Sequence, residues 1–271
     1  MEHLLRATAR AEARHFWFRG FRAFVAPLLR DAAAGRSNLR LIDCGCGTGA
    51  NLGLLERHGR AFGFDRSAVG LRLGRDAGRA RFARADVTAI PCGDATFDVA
   101  TSFDVLYSLE EPDERMAIAE MHRILKPGGA LVVNVAAMEM LRGDHSVLSR
   151  EVRRYGRDDL RARLTAAGFA VERITYTNAS LFAPLALARA WQRRRGLRDE
   201  RDAQQEITVP PAPVNVMLSG LLWMESLWLR AFDAPFGSSL LCLARKPETP
   251  MLRARDQTAR STSPSLRLPM R

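Results

Sequence analysis

A glycine-rich turn after a short apolar run is the first feature of the sequence that could bind a ligand. Residues 41–49 read LIDCGCGTG, with glycine at positions 45, 47 and 49. Glycine allows positive φ and removes the Cβ that would hold a ligand away, and a following helix offers unpaired N–H groups. We predict that helix from Asn51 to Arg57. The turn therefore indicates a site where a ligand lies against bare backbone.

Two aspartates near this turn restrict what the ligand can be. Asp65 ends the next apolar run, where a carboxylate can accept hydrogen bonds from both ribose hydroxyls of an adenosine. A dinucleotide also fits, because Gly45, Gly47 and Ala50 satisfy the looser dinucleotide fingerprint. Asp43, however, immediately precedes the turn, where it would repel a pyrophosphate and attract a cation. The charges favour S-adenosylmethionine, and a nicotinamide-dependent oxidoreductase stays as the alternative.

Short apolar runs alternate with helical patterns from Leu39 onward, which is typical of a parallel sheet with helices on both faces. The clearest helix is predicted from Asp113 to Leu125, and the segment Lys126 to Gly129 ends it. The pattern predicts an α/β fold with a Rossmann-like, seven-stranded, doubly wound sheet. The predicted strands are residues 39–43, 61–65, 81–86, 97–103, 130–135, 171–177 and 239–244.

Segments outside the sheet pattern are predicted to be helical or disordered. The Trp- and Leu-rich stretch from Val214 to Phe232 is too interrupted to span a bilayer. It is expected to cover the sheet, to form a lid or to rest on a membrane surface. The predicted organisation is a helical cap at 1–38, a sheet domain at 39–178 plus 237–247, a helical insertion or lid at 179–236 and a disordered basic tail at 248–271.

Charge and cysteine content restrict the classes of function. The net charge of +11 comes almost wholly from arginine, but the arginines cluster at 193–195 and in the tail, which argues against a groove that reads nucleic acid. The four cysteines have neither the number nor the spacing of a zinc site or a disulfide framework, so we expect no metal. The arginine-rich start lacks the apolar stretch of a signal peptide, and we expect a cytoplasmic protein.

The ordered motifs resemble those of class I S-adenosylmethionine-dependent methyltransferases of the methyltransferase-11 type. The resemblance runs from about Leu39 to Val135 and includes motif I at 41–49, motif II at 63–65, the adenine-contacting turn at 85–87, motif IV at 97–104 and the segment 125–129. It implies that Asp65 binds the ribose, Asp86 the adenine amino group and the Val87 N–H an adenine ring nitrogen. The predicted cofactor-binding residues are Trp17, Arg19, Asp43, Gly45, Cys46, Gly47, Asn51, Asp65, Arg66, Asp86, Val87 and Phe103.

The amino-terminal segment His15 to Gly20 resembles the signature of a bacterial branch of these enzymes. Phe16 and Phe18 are expected to pack against the rest of the protein. Trp17 and Arg19 are predicted to contact either the methionine end of the cofactor or the acceptor. The Arg-Arg-Tyr at 153–155 also matches this branch, although Tyr155 could serve packing alone.

The resemblance implies methyl transfer to a small or lipid-like acceptor, a reaction in which the protein must orient the reactants but need not supply a nucleophile. Many relatives have Glu-His after motif IV, where this chain has Tyr107 and Ser108, so a general base carried by that histidine is absent. This loss leaves a non-catalytic S-adenosylmethionine-binding protein as a further alternative. The candidate bases near the expected site are Tyr107, Asp104, His145 and Tyr155.

Overall fold

A computed structural model describes residues 2–196 and 208–248 of the chain. Its strands are β1 (Leu39–Cys44), β2 (Gly59–Asp65), β3 (Phe82–Arg84), β4 (Phe97–Phe103), β5 (Leu125–Ala136), β6 (Ala170–Thr177) and β7 (Ser239–Arg245). They form one sheet in the order β3-β2-β1-β4-β5-β7-β6. Strand β7 is antiparallel to both of its neighbours, and the other pairs are parallel. This sheet confirms the predicted Rossmann-like fold.

The helices of the described segments connect and cover these strands. They are α1 (Glu2–Ala11), α2 (Phe16–Ala33), α3 (Leu52–Leu55), α4 (Ala68–Asp76), α5 (Glu111–Ile124), α6 (Asp144–Leu148), α7 (Arg157–Ala166), α8 (Phe182–Arg194) and α9 (Ala212–Trp228). Short 3-10 turns lie at Leu106–Ser108, Glu139–Leu141 and Ala179–Leu181. No helix in the described ranges is long and apolar enough to cross a membrane.

The central strands are visible in the sequence because the sheet is covered on both faces. All seven residues of β4 are buried, and so are the last eight of β5. Strands that are buried on both faces are apolar along their whole length and do not alternate with polar residues. The apolar runs therefore gave strand positions close to those observed.

Two local predictions differ from the structure. The helix expected from Asn51 to Arg57 is a single turn, α3, because the chain must reach β2 at Gly59, where any Cβ would overlap the backbone of Leu39. Helix α5 ends at Ile124 as expected, but the segment Lys126 to Gly129 belongs to β5. Leu125 has already adopted an extended conformation there and pairs with Phe97.

Helices α2 and α9 lie side by side and run in the same direction. At their first turns the Phe16 N–H donates to Asn215 Oδ1 at 2.8 Å. Further along the two helices, Gly20 of α2 packs so closely on Leu222 of α9 that a Cβ on residue 20 would overlap the leucine side chain. The inward face of α2 belongs to the same core as the strands. The separate units predicted at 1–38 and 179–236 thus meet along these helices, and residues 249–271 of the predicted tail lie outside the described part.

Candidate cofactor and acceptor site

The glycine turn joins β1 to α3 at the carboxyl edge of the parallel strands. Gly45, Gly47 and Gly49 have φ of +86°, +55° and +74°, a region that residues with a Cβ rarely adopt. The N–H groups of Gly45 and Cys46 both donate to the Phe64 carbonyl at 2.9 Å. A Cβ on Gly45 would overlap the side chain of Val105, which follows β4. The turn therefore depends on glycine both for its conformation and for its packing.

Asp65 is held against this turn by two backbone donors. Its Oδ2 accepts from the Gly47 N–H at 2.8 Å, and its Oδ1 accepts from the Ser67 N–H at 2.7 Å. A carboxylate offers about four lone-pair positions, so each oxygen can accept a further hydrogen bond. The structure brings Asp65 and Gly47 together in an arrangement that could receive two neighbouring hydroxyls.

Asp43 lies beneath the turn and not on its open side. Its side chain is buried, and Oδ1 accepts a 2.7 Å hydrogen bond from Thr101 Oγ1. Loss of hydration, together with the nearby negative charge of Asp65, raises the pKa of Asp43 to about 7. Cofactor binding by Asp43 stays a prediction, although its carboxyl group is buried in this structure. It is a buried anchor between β1 and β4.

The expected adenine contacts lie in the turn after β3. Asp86 is exposed, and its Oδ1 accepts from both the N–H (2.9 Å) and the hydroxyl (2.7 Å) of Thr88. These bonds lower the pKa of Asp86, so the side chain is an oriented anion. Val87 is buried and Arg66 is exposed. Asn51 precedes α3, and Cys46 is buried within the turn.

The aromatic segment at the start of α2 divides between packing and exposure. Phe103, at the end of β4, makes an edge-to-face contact with Phe21, with ring centroids 5.1 Å apart. Trp17 is half-buried, and its backbone N–H donates to His15 Nδ1 at 3.1 Å. Arg19 is exposed and lines an outward groove between α2 and α9. The predicted contact of Trp17 and Arg19 with either the methionine end of the cofactor or the acceptor stays a prediction.

A buried glutamate that the sequence gave no reason to select ties the amino-terminal helices to the turn. Glu12 Oε2 accepts from Thr48 Oγ1 at 2.7 Å, and Oε1 pairs with Arg79 at 2.6 Å. Arg79 also donates to the Thr48 carbonyl at 3.0 Å. Nearby, Leu5 of α1 lies against Gly47. The turn is therefore supported from the side of α1 as well as from the sheet.

Asp104 occupies the position after β4 where an acceptor is expected. It has φ of +60°, its N–H donates to the Asn134 carbonyl at 3.0 Å, and its Oδ1 accepts from Asn134 Nδ2 at 2.8 Å. The side chain is open to solvent, yet protein groups surround it closely enough that reduced hydration raises its pKa to about 7. Asn134 was missed, although a lone polar residue inside the apolar run of β5 is a visible signal.

The other candidate bases are less accessible. Tyr155 is buried, and its hydroxyl donates to Glu114 Oε1 at 2.7 Å. Glu114 also pairs with Arg153 and Arg163, so Tyr155 belongs to a structural cluster. Burial likewise raises the pKa of Tyr107 well above its usual value. His145 lies half-buried in α6.

Comparison with known proteins gives the family of the central region. Residues 42–133 match a family model described as a methyltransferase domain. The chain is 29% identical over 154 residues to an O-methyltransferase of Penicillium expansum, which covers 50% of this chain and 53% of that protein. It is 37% identical over 112 residues to the demethylmenaquinone methyltransferase of Renibacterium salmoninarum, covering 39% and 45%. The chain thus spans about half the length of the curated relatives it matches.

A solved structure extends the likeness in fold to most of the chain. An S-adenosylmethionine-dependent methyltransferase from Mesorhizobium loti superposes with a TM-score of 0.51 over 81% of this chain and 96% of its own. The two sequences are 19% identical. The likeness therefore shows a shared fold.

Proposed function

Residues 42–133 form a methyltransferase domain of the class that uses S-adenosylmethionine, and we propose that the protein transfers a methyl group from this cofactor to a small or lipid-like acceptor. The observation that carries the proposal is the Asp65 carboxylate, which the Gly47 and Ser67 N–H groups fix beside a turn of bare glycine backbone. This pairing would place a ribose acceptor beside the glycine turn, and both belong to the matched region.

The residues at the site fit the cofactor. Asp65 would accept the ribose hydroxyls, and Asp86 would accept from the adenine amino group, because both carboxylates are already oriented by backbone donors. When bound, S-adenosylmethionine supplies an electrophilic methyl group and its own leaving group. The protein therefore needs to orient the acceptor and exclude water.

The sheet order argues against the nicotinamide alternative. Dinucleotide-binding sheets have six parallel strands in the order 3-2-1-4-5-6. Here an antiparallel strand, β7, lies between β5 and β6. Although Asp43 is buried, the negative charge of a pyrophosphate bound above it would favour the protonated form of the Asp43 carboxyl group. Protonating that group would make the free energy of pyrophosphate binding less favourable.

Among the candidate bases, Asp104 is the one that the acceptor-side geometry favours. Its backbone and one carboxylate oxygen are held by Asn134, and the residue is exposed, so its position suits a general base. Val105, the next residue, packs on Gly45, so Asp104 adjoins the cofactor turn. Asp104 would accept the acceptor's proton if the methylated atom is a hydroxyl oxygen or an amine nitrogen.

The class of acceptor is proposed from two observations. The names of two relatives specify an O-methyltransferase and an enzyme for demethylmenaquinone, so both polar and lipid-like acceptors occur among the similar proteins. The apolar exposed surface of α9 is consistent with a lipid-like molecule. We also propose membership of the bacterial branch, from the resemblance of residues 15–20, and a cytoplasmic location, from the cysteine content.

A non-catalytic S-adenosylmethionine-binding protein is the second candidate. The Tyr107-Ser108 pair, which replaces Glu-His, favours it, because the buried phenol of Tyr107 is a poor base. Methylation of a component of cell extract by the purified protein and labelled cofactor would distinguish the two functions.

The first test needs no acceptor. Purified protein is titrated calorimetrically with S-adenosylhomocysteine, and NADH and NADPH are titrated in parallel. We expect affinity in the micromolar range, about −8 kcal/mol, for S-adenosylhomocysteine alone. Binding of a nicotinamide cofactor in its place would overturn the proposal.

A further inference from the structure

We propose that the outward face of α9 is a docking surface for an anionic lipid bilayer. This face, the apolar platform, comprises Val216, Met217, Trp223, Met224, Leu227 and Trp228, and all six side chains are exposed.

The platform exists because α9 is apolar on both of its sides. Leu222 and Leu229 face inward and are buried. At about 100° of rotation per residue, the six platform residues fall within an arc of about 140° on the opposite side. A helix that only covers a sheet has polar residues on that side. The inward packing of α9 therefore does not account for its outward composition.

The platform is larger than a chance exposure of single residues. Trp223 and Trp228 are 56% and 47% exposed. An aromatic side chain has ~150–250 Å² of surface, and the exposed fractions of these two tryptophans add up to about one whole side chain, so together they expose an area of that size. Four aliphatic side chains on the same face extend it beyond a few hundred Å², a size that marks an interaction site.

A groove beside the platform widens the apolar surface. It has a volume of about 330 Å³ and lies between α2 and α9, with Arg19 on one rim and Trp223 on the other. Gly20, Ala23 and Gly220 line it and bring little side-chain bulk. A lipid acyl chain is narrow and flexible enough to enter such a groove while its headgroup meets Arg19.

The charges around the platform select an anionic bilayer over a second copy of this chain. Two exposed arginines border it: Arg19 lines the groove, and Arg230 follows the last turn of α9. Glu225 is turned inward and accepts from the N–H groups at residues 179 and 180. Two copies facing each other would bring these arginines together, whereas anionic headgroups would neutralise them.

The position of the platform suits the proposed function, on which this step rests. Helix α9 begins where Asn215 binds the Phe16 N–H, and the connection between α1 and α2 reaches the glycine turn through Glu12 and Thr48. A bilayer against α9 would therefore contact a helix that is anchored at the junction of α1 and α2, which also supports the glycine turn. An acceptor dissolved in the lipid could then reach the site from the membrane.

Vesicle binding tests the proposal with three variants of the full chain. Met217→Glu and Trp223→Glu place a charge on the platform, and Met116→Glu makes the same change at an exposed methionine of α5. Binding is measured by co-sedimentation with vesicles of phosphatidylcholine alone or with phosphatidylglycerol. Each variant is also titrated with S-adenosylhomocysteine, so loss of docking is distinguished from loss of the cofactor site.

We expect the wild type and Met116→Glu to bind vesicles that contain phosphatidylglycerol. Trp223→Glu should bind them roughly 50-fold more weakly, since about 100 Å² of apolar surface can no longer be buried. Equal binding by all variants would overturn the proposal, as would equal binding to both vesicle types. If the wild type does not bind vesicles but forms dimers, and Trp223→Glu abolishes those dimers, the platform would instead be an interface with a second copy of the chain.

Discussion

Replacing Asp65 by asparagine is the sharpest test of the cofactor site. Asparagine keeps the size of the side chain and one acceptor oxygen but replaces the other oxygen by an NH2 group. That group would face either the Gly47 N–H or the Ser67 N–H, and two donors cannot pair. The substitution therefore removes one support of the glycine turn and one charge-assisted contact to a ribose hydroxyl.

The expected loss of affinity follows from these contacts. A hydrogen bond to a charged group contributes ~1.5–3 kcal/mol, so S-adenosylhomocysteine should bind roughly 10- to 150-fold more weakly. The unpaired N–H should also lower the free energy of unfolding by ~1–3 kcal/mol. Calorimetric titration measures the first quantity and denaturant unfolding the second.

Asp76→Asn is the matched control for this experiment. It makes the same change in charge at an exposed position at the end of α4, and it should leave affinity and stability close to those of the wild type. If Asp65→Asn binds S-adenosylhomocysteine within about threefold of the wild type, the ribose assignment is refuted. If both variants weaken binding equally, general electrostatics and not a specific contact would be responsible.

Two further predictions concern the turn and its buried anchor. Gly45→Ala should lower the free energy of unfolding by ~2–4 kcal/mol, because residue 45 has a positive φ and the new Cβ would overlap Val105. Adding Val105→Ala to this variant should recover part of the loss. If Gly45→Ala is as stable as the wild type, the prediction is contradicted. Because burial raises the pKa of Asp43 from 3.8 to about 7, its stabilising contribution is complete below pH ~4 and disappears as the pH rises through 7. Asp43→Asn should therefore flatten the fall in melting temperature between pH 4 and 7, by an amount equivalent to at most ~4 kcal/mol, and an unchanged pH profile would speak against the buried carboxyl.

The fold was largely predictable because buried parallel strands leave a strong signal. Strands β1 and β4 were predicted to within a residue at either end, since each is a mainly apolar run between turns. The length of α3 was not predictable, because it is set by the contact of Gly59 with Leu39, which are distant along the chain. Only the folded structure shows that such a contact ends a helix.

The site was predictable in its backbone and less so in its side chains. The glycine turn and Asp65 meet as their spacing indicated. The burial of Asp43 and the outward position of Arg19 depend on neighbours contributed by β4 and α9. Tyr155 could not be distinguished from a catalytic residue by sequence, because its partner Glu114 lies in α5, 41 residues earlier in the chain.

The position of β7 has a consequence for how the chain is synthesised. This strand lies between β5 and β6, yet it is translated after both. Until residues 239–245 have left the ribosome, β6 has no neighbour and β5 presents an unpaired apolar edge, which is prone to aggregation. The glycine turn and the first five strands can assemble earlier. We therefore expect a nascent chain that forms its cofactor half first and exposes the edge of β5 until residues 239–245 have been made.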